Sequence, residues 1–366
     1  MITGDTGENL IEIKQPDLIQ SFEYIKVVQV VLKTIKESLI PPPFECKINP
    51  HVDEMQKVTE QWIQEFKLTT DKESFKEISS KKYAHFMAKT YPTCDPARAQ
   101  FMSDFVTWFF INDDGNEASK LANLKKINDK TLRVLSSGNE NLDTPFVIAL
   151  NNLVKRLDQF VQEKLANSIG EAKHEGNKRF IKYFDKHLRA TEWESKNREE
   201  HKNPDLVTFL KKRPHTGGAY VMFSLIEIAE KTNIPNRIFK KYLKELSLAA
   251  NNVIVFSNDI FSLPRELKDE KIKGNTINNL AFIFMEQFGF SLDAALKKTA
   301  EFHNIELEKF SDLKKALFND SEAKNEIGEH FEDVKKFIAG LESWMIGHYS
   351  YAMDAIEKKA QGRYEL

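Results

Sequence analysis

The sequence predicts an all-α fold, a single antiparallel helical bundle, and three observations carry the helical expectation. From Asn49 onward apolar residues recur mostly at spacings of three and four, as in VDEMQKVTEQWIQEF (52–66), the mark of amphipathic helices. Gly (14) and Pro (12) are scarce in 366 residues, whereas the good helix formers Lys, Glu and Leu are plentiful. No internal repeat and no Gly/Ser-rich linker divides the chain, so one domain accounts for it.

Along the chain, residues 1–22 are polar and unpatterned and read as a loose arm, and the Pro41-Pro42-Pro43 run delivers the chain to residue 49. The expected division is therefore an N-terminal arm over 1–48 and a catalytic domain over 49–366. Helices are expected at 52–66, 95–112, 142–167, 170–200, 216–232, 236–266, 275–288, 291–304 and 322–357. The charged stretch ATEWESKNREEHKNPD (190–205) reads as the solvated end of a long helix running into an Asn-Pro turn.

Composition removes several functional classes. A net charge of −2 provides no positive field for nucleic acid or an anionic membrane. Cys46 and Cys94, the only cysteines, are too few for a disulfide framework or a cysteine zinc site. The stretch TGDTGENL (3–10) does not resemble a signal peptide, and apolar runs such as AFIFM (281–285) are too short to span a membrane. A reducing cytoplasm is the expected location. The phosphate-loop, dinucleotide and zinc-protease signatures are absent, and the nine histidines form no evident ligand pair.

Two polar clusters stand out. In DFVTWFFINDDGNE (104–117), Phe105, Phe109, Asp113 and Glu117 stand four apart, each turned by about 40° from the last on a helix. With Asp114 they form a carboxylate cluster lacking His or Cys, the ligand type of a hard cation such as Mg²⁺. An acidic helix end running into an Asp-Gly turn produces the same letters. In FSNDIFSLPRE (256–266), Asn258, Ser262 and Glu266 also stand four apart and span about 12 Å of helix. Helical side chains lean toward the N-terminus, so the long Glu266 can reach back to the shorter Asn258 and Ser262. Arg265 can contact an anion beside such an ion, and Pro264 is expected to kink or end the helix. An ordinary polar helix face is the plainer account of this second stripe.

Together the clusters read D-D-x-x-E and N-D-x-x-S-x-x-x-E, and the pair resembles the two metal-binding motifs of class I terpene synthases of the bacterial type. The resemblance runs from about residue 48 to Tyr364. NPHVDEMQKVTEQW (49–62) is similar to the family's Asn-Pro-His…Trp opening, and KTYP (89–92) to a Tyr-Pro before the acidic helix. FLKKRPHTGGAY (209–220) resembles the segment with the diphosphate-sensing arginine. That likeness implies the sensing role for Arg213, and for Thr216 and Gly217 the helix break whose movement triggers ionisation. The terminal Arg363-Tyr364 is similar to the pair that closes over the diphosphate. One departure is that AIEKKAQG (355–362) stands where a tryptophan is common, which leaves Trp344 and Tyr351 as the aromatic candidates on that side.

The resemblance implies a magnesium-dependent lyase that ionises a linear prenyl diphosphate and cyclises the carbocation, with a cluster of three Mg²⁺ ions. It also implies a deep apolar central cavity in the bundle. Metal would be held by Asp113, Asp114, Glu117, Asn258, Ser262 and Glu266, and the diphosphate by Arg213, Arg265, Arg363 and Tyr364. Phe109 and Phe110, with Phe105, are the rings expected to face the cation. Chain-elongating isoprenyl transferases share the fold but carry two aspartate-rich motifs, so they are the alternative, followed by a non-catalytic helical interaction protein. Substrates of 15 or 20 carbons are expected, with 10 left open, as is a homodimer.

Overall fold

A computed structural model describes residues 23–116, 119–137, 141–166, 175–273 and 276–360, and among them every regular element is helical, with no strand. In chain order the helices are α1 (Tyr24–Ser38), α2 (Val52–Glu65), α3 (Lys72–Ser80), α4 (Tyr83–Thr90) and α5 (Pro96–Asn116). Then come α6 (Leu121–Ser137), α7 (Pro145–Ala166), α8 (Glu175–Glu199), α9 (Leu206–Thr216), α10 (Ala219–Ser224) and α11 (Ile226–Ala229). A short turn and one π-helical turn, Phe239–Leu243, lead into α12 (Lys244–Lys273). The chain finishes with α13 (Leu280–Phe288), α14 (Leu292–Asn319), α15 (Ser321–Ile327) and α16 (Phe331–Ala360).

Two helices form the spine. In α5, Pro96 starts the first turn and the Asp95 carboxylate accepts a hydrogen bond from the Arg98 amide at 3.1 Å, a cap that satisfies an orphan donor. From Arg98 to Ile111 only Gln100 and Phe110 escape full burial, so this helix is enclosed on every side rather than amphipathic. Its one buried carboxylate, Asp104, is matched by Arg156 and by the Thr59 hydroxyl, each at 2.7 Å. Around α5 pack α2, α4 and α7, while α8 lies against α6, α9 and α10. The second spine helix, α12, packs against α1, α14 and α16.

Three expectations change. The segment 1–48 is not only an arm: α1 inserts Val27, Val28, Val31 and Ile35 into the core beside α12 and α14, while residues 1–22 lie outside the described residues. Pro264 does not end its helix, because α12 continues to Lys273. Burial of Ile260, Leu263 and Leu267 outweighs the roughly 3 kcal/mol that an interior proline costs. The helix expected over 216–232 is divided: α9 stops at Thr216, and α10 and α11 follow a break at Gly217 and Gly218. The stretch Asn236–Asp269 is long and apolar enough to cross a membrane, but 83% of its apolar window is buried inside the protein.

Candidate functional site

Asn258, Ser262 and Glu266 share one face of α12 and are all half-buried. Each oxygen has a distinct state. Asn258 Oδ1 accepts from Arg213 Nη2 at 3.0 Å, and Glu266 Oε2 accepts from Asn279 Nδ2 at 2.9 Å. The Ser262 hydroxyl is buried with no hydrogen-bond partner. An orphaned buried oxygen costs about 1–3 kcal/mol, and it lies between two further oxygen ligands on the same stripe. This donor set fits a hard oxygen-seeking cation. Among the described residues no three His, Cys, Asp or Glu side chains gather as a metal cluster, consistent with a stripe in which amide and hydroxyl oxygens replace two carboxylates.

Arg213 is the hub of the site. It is buried at the C-terminal end of α9, and its Nε and Nη2 both donate to Asp259 Oδ1, at 3.0 and 2.6 Å. Nη1 donates to the Thr216 hydroxyl at 3.1 Å. One guanidinium therefore touches Asn258 of the polar stripe, its buried neighbour Asp259 and Thr216, the last residue of α9 before the break. Burial raises the Asp259 carboxyl to about 6 against the pull of Arg213, so the pair is charged at neutral pH. The second Asp259 oxygen accepts from the Leu280 amide at 3.1 Å, which anchors α13 to the same point.

The break itself requires glycine twice. Gly218 has φ +69°, in the left-handed region, and a Cβ there would stand 2.8 Å from Phe109 Cζ. Gly217 has ordinary helical angles, but its Cβ would meet Val255 Cγ1 at 2.6 Å. The break is thus wedged between α5 on one side and α12 on the other.

Asp113 and Asp114 end α5, and their side chains are each 47% exposed. Asp114 pairs with Lys81 at 3.1 Å. Asp113 Oδ1 lies 4.0 Å from Nε2 of His187 on α8. Burial pushes the His187 imidazole down to about 4, so it is neutral at pH 7 and no ion pair forms. Its Nδ1 is 3.1 Å from the His215 carbonyl, which can only accept, so the proton sits on Nδ1. His187 therefore stands between the acidic end of α5 and the last turn of α9. Burial raises the pKa of the Tyr83 hydroxyl, Asp114 raises it further, and Arg265 lowers it.

Aromatic rings pack beside the acidic end of α5. Phe105 and Phe109 are buried, and Phe109 packs on His187 with ring centres 4.8 Å apart. Phe110 stacks on Tyr83 at 4.9 Å. Trp344 is buried edge-on to Phe86, Tyr91 and Phe223. Tyr351 stacks on Phe86 at 4.7 Å and donates its hydroxyl to the Lys81 carbonyl. Both aromatic candidates on α16 thus converge on Phe86. Arg265 is exposed, and Glu117, Arg363 and Tyr364 lie outside the described residues. Sequence reasoning missed His187, Gly218 and Asn279. A Gly-Gly doublet marks Gly218, whereas nothing local marks the other two.

Known proteins resemble this chain in sequence and in fold. A family model described as terpene synthase family 2, C-terminal metal binding, matches residues 104–309. The chain is 27% identical over 330 residues to a germacrene A synthase of Nostoc punctiforme, covering 88% of this chain and 95% of that protein. It is 25% identical over 326 residues to a (+)-T-muurolol synthase of Roseiflexus castenholzii, covering 86% and 91%. Among solved structures, a linalool/nerolidol synthase from Streptomyces clavuligerus superposes with a TM-score of 0.72 at 16% identity, over 86% of this chain and 99% of that one. An eudesmol synthase gives 0.72 at 17% identity, also over 86% and 99%. These two likenesses establish the helical fold. The matched segment spans more than half of the chain and includes both oxygen-rich stripes, so the protein belongs to the terpene synthase family and is a class I terpene synthase.

Proposed function

We propose that the substrate is the 15-carbon farnesyl diphosphate, ionised with Mg²⁺ and cyclised to a sesquiterpene. The observation that carries the reading is the position of Arg213, bonded at once to Asn258, Asp259 and Thr216. Support for the chain length comes from two relatives, the T-muurolol and 4-epi-cubebol synthases, whose names specify cyclisation of (2E,6E)-farnesyl diphosphate.

Asp113 on α5 and Asn258, Ser262 and Glu266 on α12 are the residues that would hold metal, with Asp114 and Glu117 beside them. Mg²⁺ bound there, a cluster of three ions in this reading, supplies Lewis-acid charge neutralisation to the diphosphate leaving group. Arg213 offers its planar fork of donors to the diphosphate oxygens as their charge develops. To do so it must release Asn258, and the same shift slackens its hold on Thr216. Diphosphate arrival is thereby coupled to movement at the Gly217-Gly218 break. Arg265, Arg363 and Tyr364 would add donors around the leaving group. Phe109 and Phe110, with Phe105, present ring faces that stabilise a carbocation without trapping it. His187, neutral and capped on Nδ1, keeps the Phe109 side of the site free of a competing cation.

The test is product analysis by gas chromatography after separate incubations with 10-, 15- and 20-carbon diphosphates and Mg²⁺. A cyclic hydrocarbon or alcohol from the 15-carbon substrate alone is expected. Turnover confined to the 20-carbon substrate would overturn the chain length. A longer diphosphate formed only when dimethylallyl and isopentenyl diphosphates are supplied together would point to elongation instead.

A further inference from the structure

Asn279 is wholly buried between α12 and α13, and each end of its amide has separate work. The oxygen caps α13, accepting from the Ala281 amide at 2.9 Å and from Phe282 at 3.4 Å. The nitrogen donates to the Asp259 carbonyl at 2.7 Å and to Glu266 Oε2 at 2.9 Å, which uses both of its N–H groups.

The residue type follows from the double demand. A helix N-cap is served about equally well by Ser, Asp or Asn. Only an amide can also donate from its far side to a carboxylate while its oxygen faces the helix. Ser is too short to reach Glu266, and Asp would set an acceptor against an acceptor. The cap explains the oxygen alone; the nitrogen is explained by Glu266.

We propose that Asn279 is a positioning residue for the metal-binding face of α12, holding the Glu266 carboxylate by one oxygen so that the other is presented toward Ser262 and Asn258. The inference rests on the reading of those three residues as metal ligands. The adjacent Leu280 amide pins Asp259, the counter-charge of Arg213, so residues 279 and 280 hold the ends of the metal stripe and of the sensor together. An undirected Glu266 would swing among rotamers, and loss of such a supporting hydrogen bond typically weakens metal binding by about 10- to 100-fold.

The experiment is calorimetric titration of Mg²⁺ into the full chain with inorganic diphosphate present, alongside thermal melts without metal. Asn279→Ser retains the cap and loses the reach. It is expected to melt within a few degrees of the parent but to bind Mg²⁺ at least about tenfold more weakly. The Mg²⁺ concentration for half-maximal turnover should rise by a similar factor, with a smaller change in KM for prenyl diphosphate. Parent-like Mg²⁺ affinity in Asn279→Ser would overturn the proposal, provided Glu266→Gln binds weakly in the same assay. If Glu266→Gln also binds like the parent, the metal-ligand reading fails instead. Should Asn279→Ser melt far below the parent, Asn279→Asp decides: it keeps the cap and replaces the donor with an acceptor, so weakened binding supports the proposal and unchanged binding ends it.

Discussion

Arg213 spends two of its donors on a single oxygen of Asp259, while a third bond from the same guanidinium goes to Asn258. A side chain suited to binding an anion is thus held, within the described residues, by a fully buried carboxylate and by an amide of the Asn258, Ser262 and Glu266 stripe. In the proposed mechanism an arriving diphosphate would compete with Asn258 for the fork and leave the deeper bond to Asp259 in place.

Arg213→Lys keeps the charge and loses the fork, since a single ammonium cannot hold Asp259, Asn258 and Thr216 together. A fall in kcat of about 100-fold or more is expected, with KM changing far less, the pattern for an interaction made mainly in the transition state. Steady-state kinetics on the 15-carbon substrate measures it. Normal turnover would reduce Arg213 to part of a basic helix end.

Asp259→Asn strips a buried guanidinium of its counter-charge without changing shape. The expected loss is about 3–5 kcal/mol of stability, because one buried charge is left uncompensated. Urea denaturation provides the value, and a loss below 1 kcal/mol would mean that water reaches Arg213 freely.

Gly218→Ala must both adopt φ +69° and place a methyl 2.8 Å from the Phe109 ring. Destabilisation of at least about 1–3 kcal/mol and a sharp loss of turnover are expected. Gly115→Ala is the control: its Cβ meets nothing within 4 Å in a helical segment, so no loss of stability is expected. Matching melts for the two variants would remove the special status of the break.

Chelation should abolish turnover and added Mg²⁺ restore it. Asn258→Ala or Glu266→Ala should lose nearly all activity, while circular dichroism remains that of the folded helical protein. Activity persisting in chelator would rule out the Lewis-acid role.

Acid should destabilise the fold well before most carboxylates titrate. Burial lowers His303 to about 3 and His187 and His348 to about 4, from an ordinary 6.5. Each binds its proton more readily when unfolded, so its contribution is complete above pH 6.5 and is lost as pH falls toward 4. Each lost proton balance is worth about 1.4 kcal/mol per pH unit. Asp259, raised to about 6, and Asp104, also raised by burial, act in the opposite sense but are outnumbered. Urea midpoints should therefore drop between about pH 7 and about pH 5, and His303→Gln should lessen the slope. Equal midpoints at the two pH values would contradict the buried neutral imidazoles.

The all-helical class and the helical setting of both polar stripes were legible in local spacing. Asp113 with Asp114, and Asn258 with Ser262 and Glu266, lie on single helices, where a step of four sets one face whatever surrounds it. Helix α1 was missed although Val27, Val28, Val31 and Ile35 mark a stripe, because the polar residues before it and the prolines after it resemble a linker. Helices α3, α4, α6 and α9 were missed as well: α3, α4 and α9 have about three turns or fewer in which a pattern can repeat, whereas α6, with 17 residues, is long enough to show one and was overlooked.

By itself the sequence determined the helical class and the two oxygen-rich stripes, both properties of neighbouring residues and their spacing. The tertiary structure alone decided that Arg213 reaches Asp259 and Asn258 across two helices, that His187 stands over Asp113, and that Asn279 grips Glu266. Contacts between distant parts of the chain depend on which helix faces pack together. That is a collective outcome of burying apolar surface, and no short stretch of sequence encodes it.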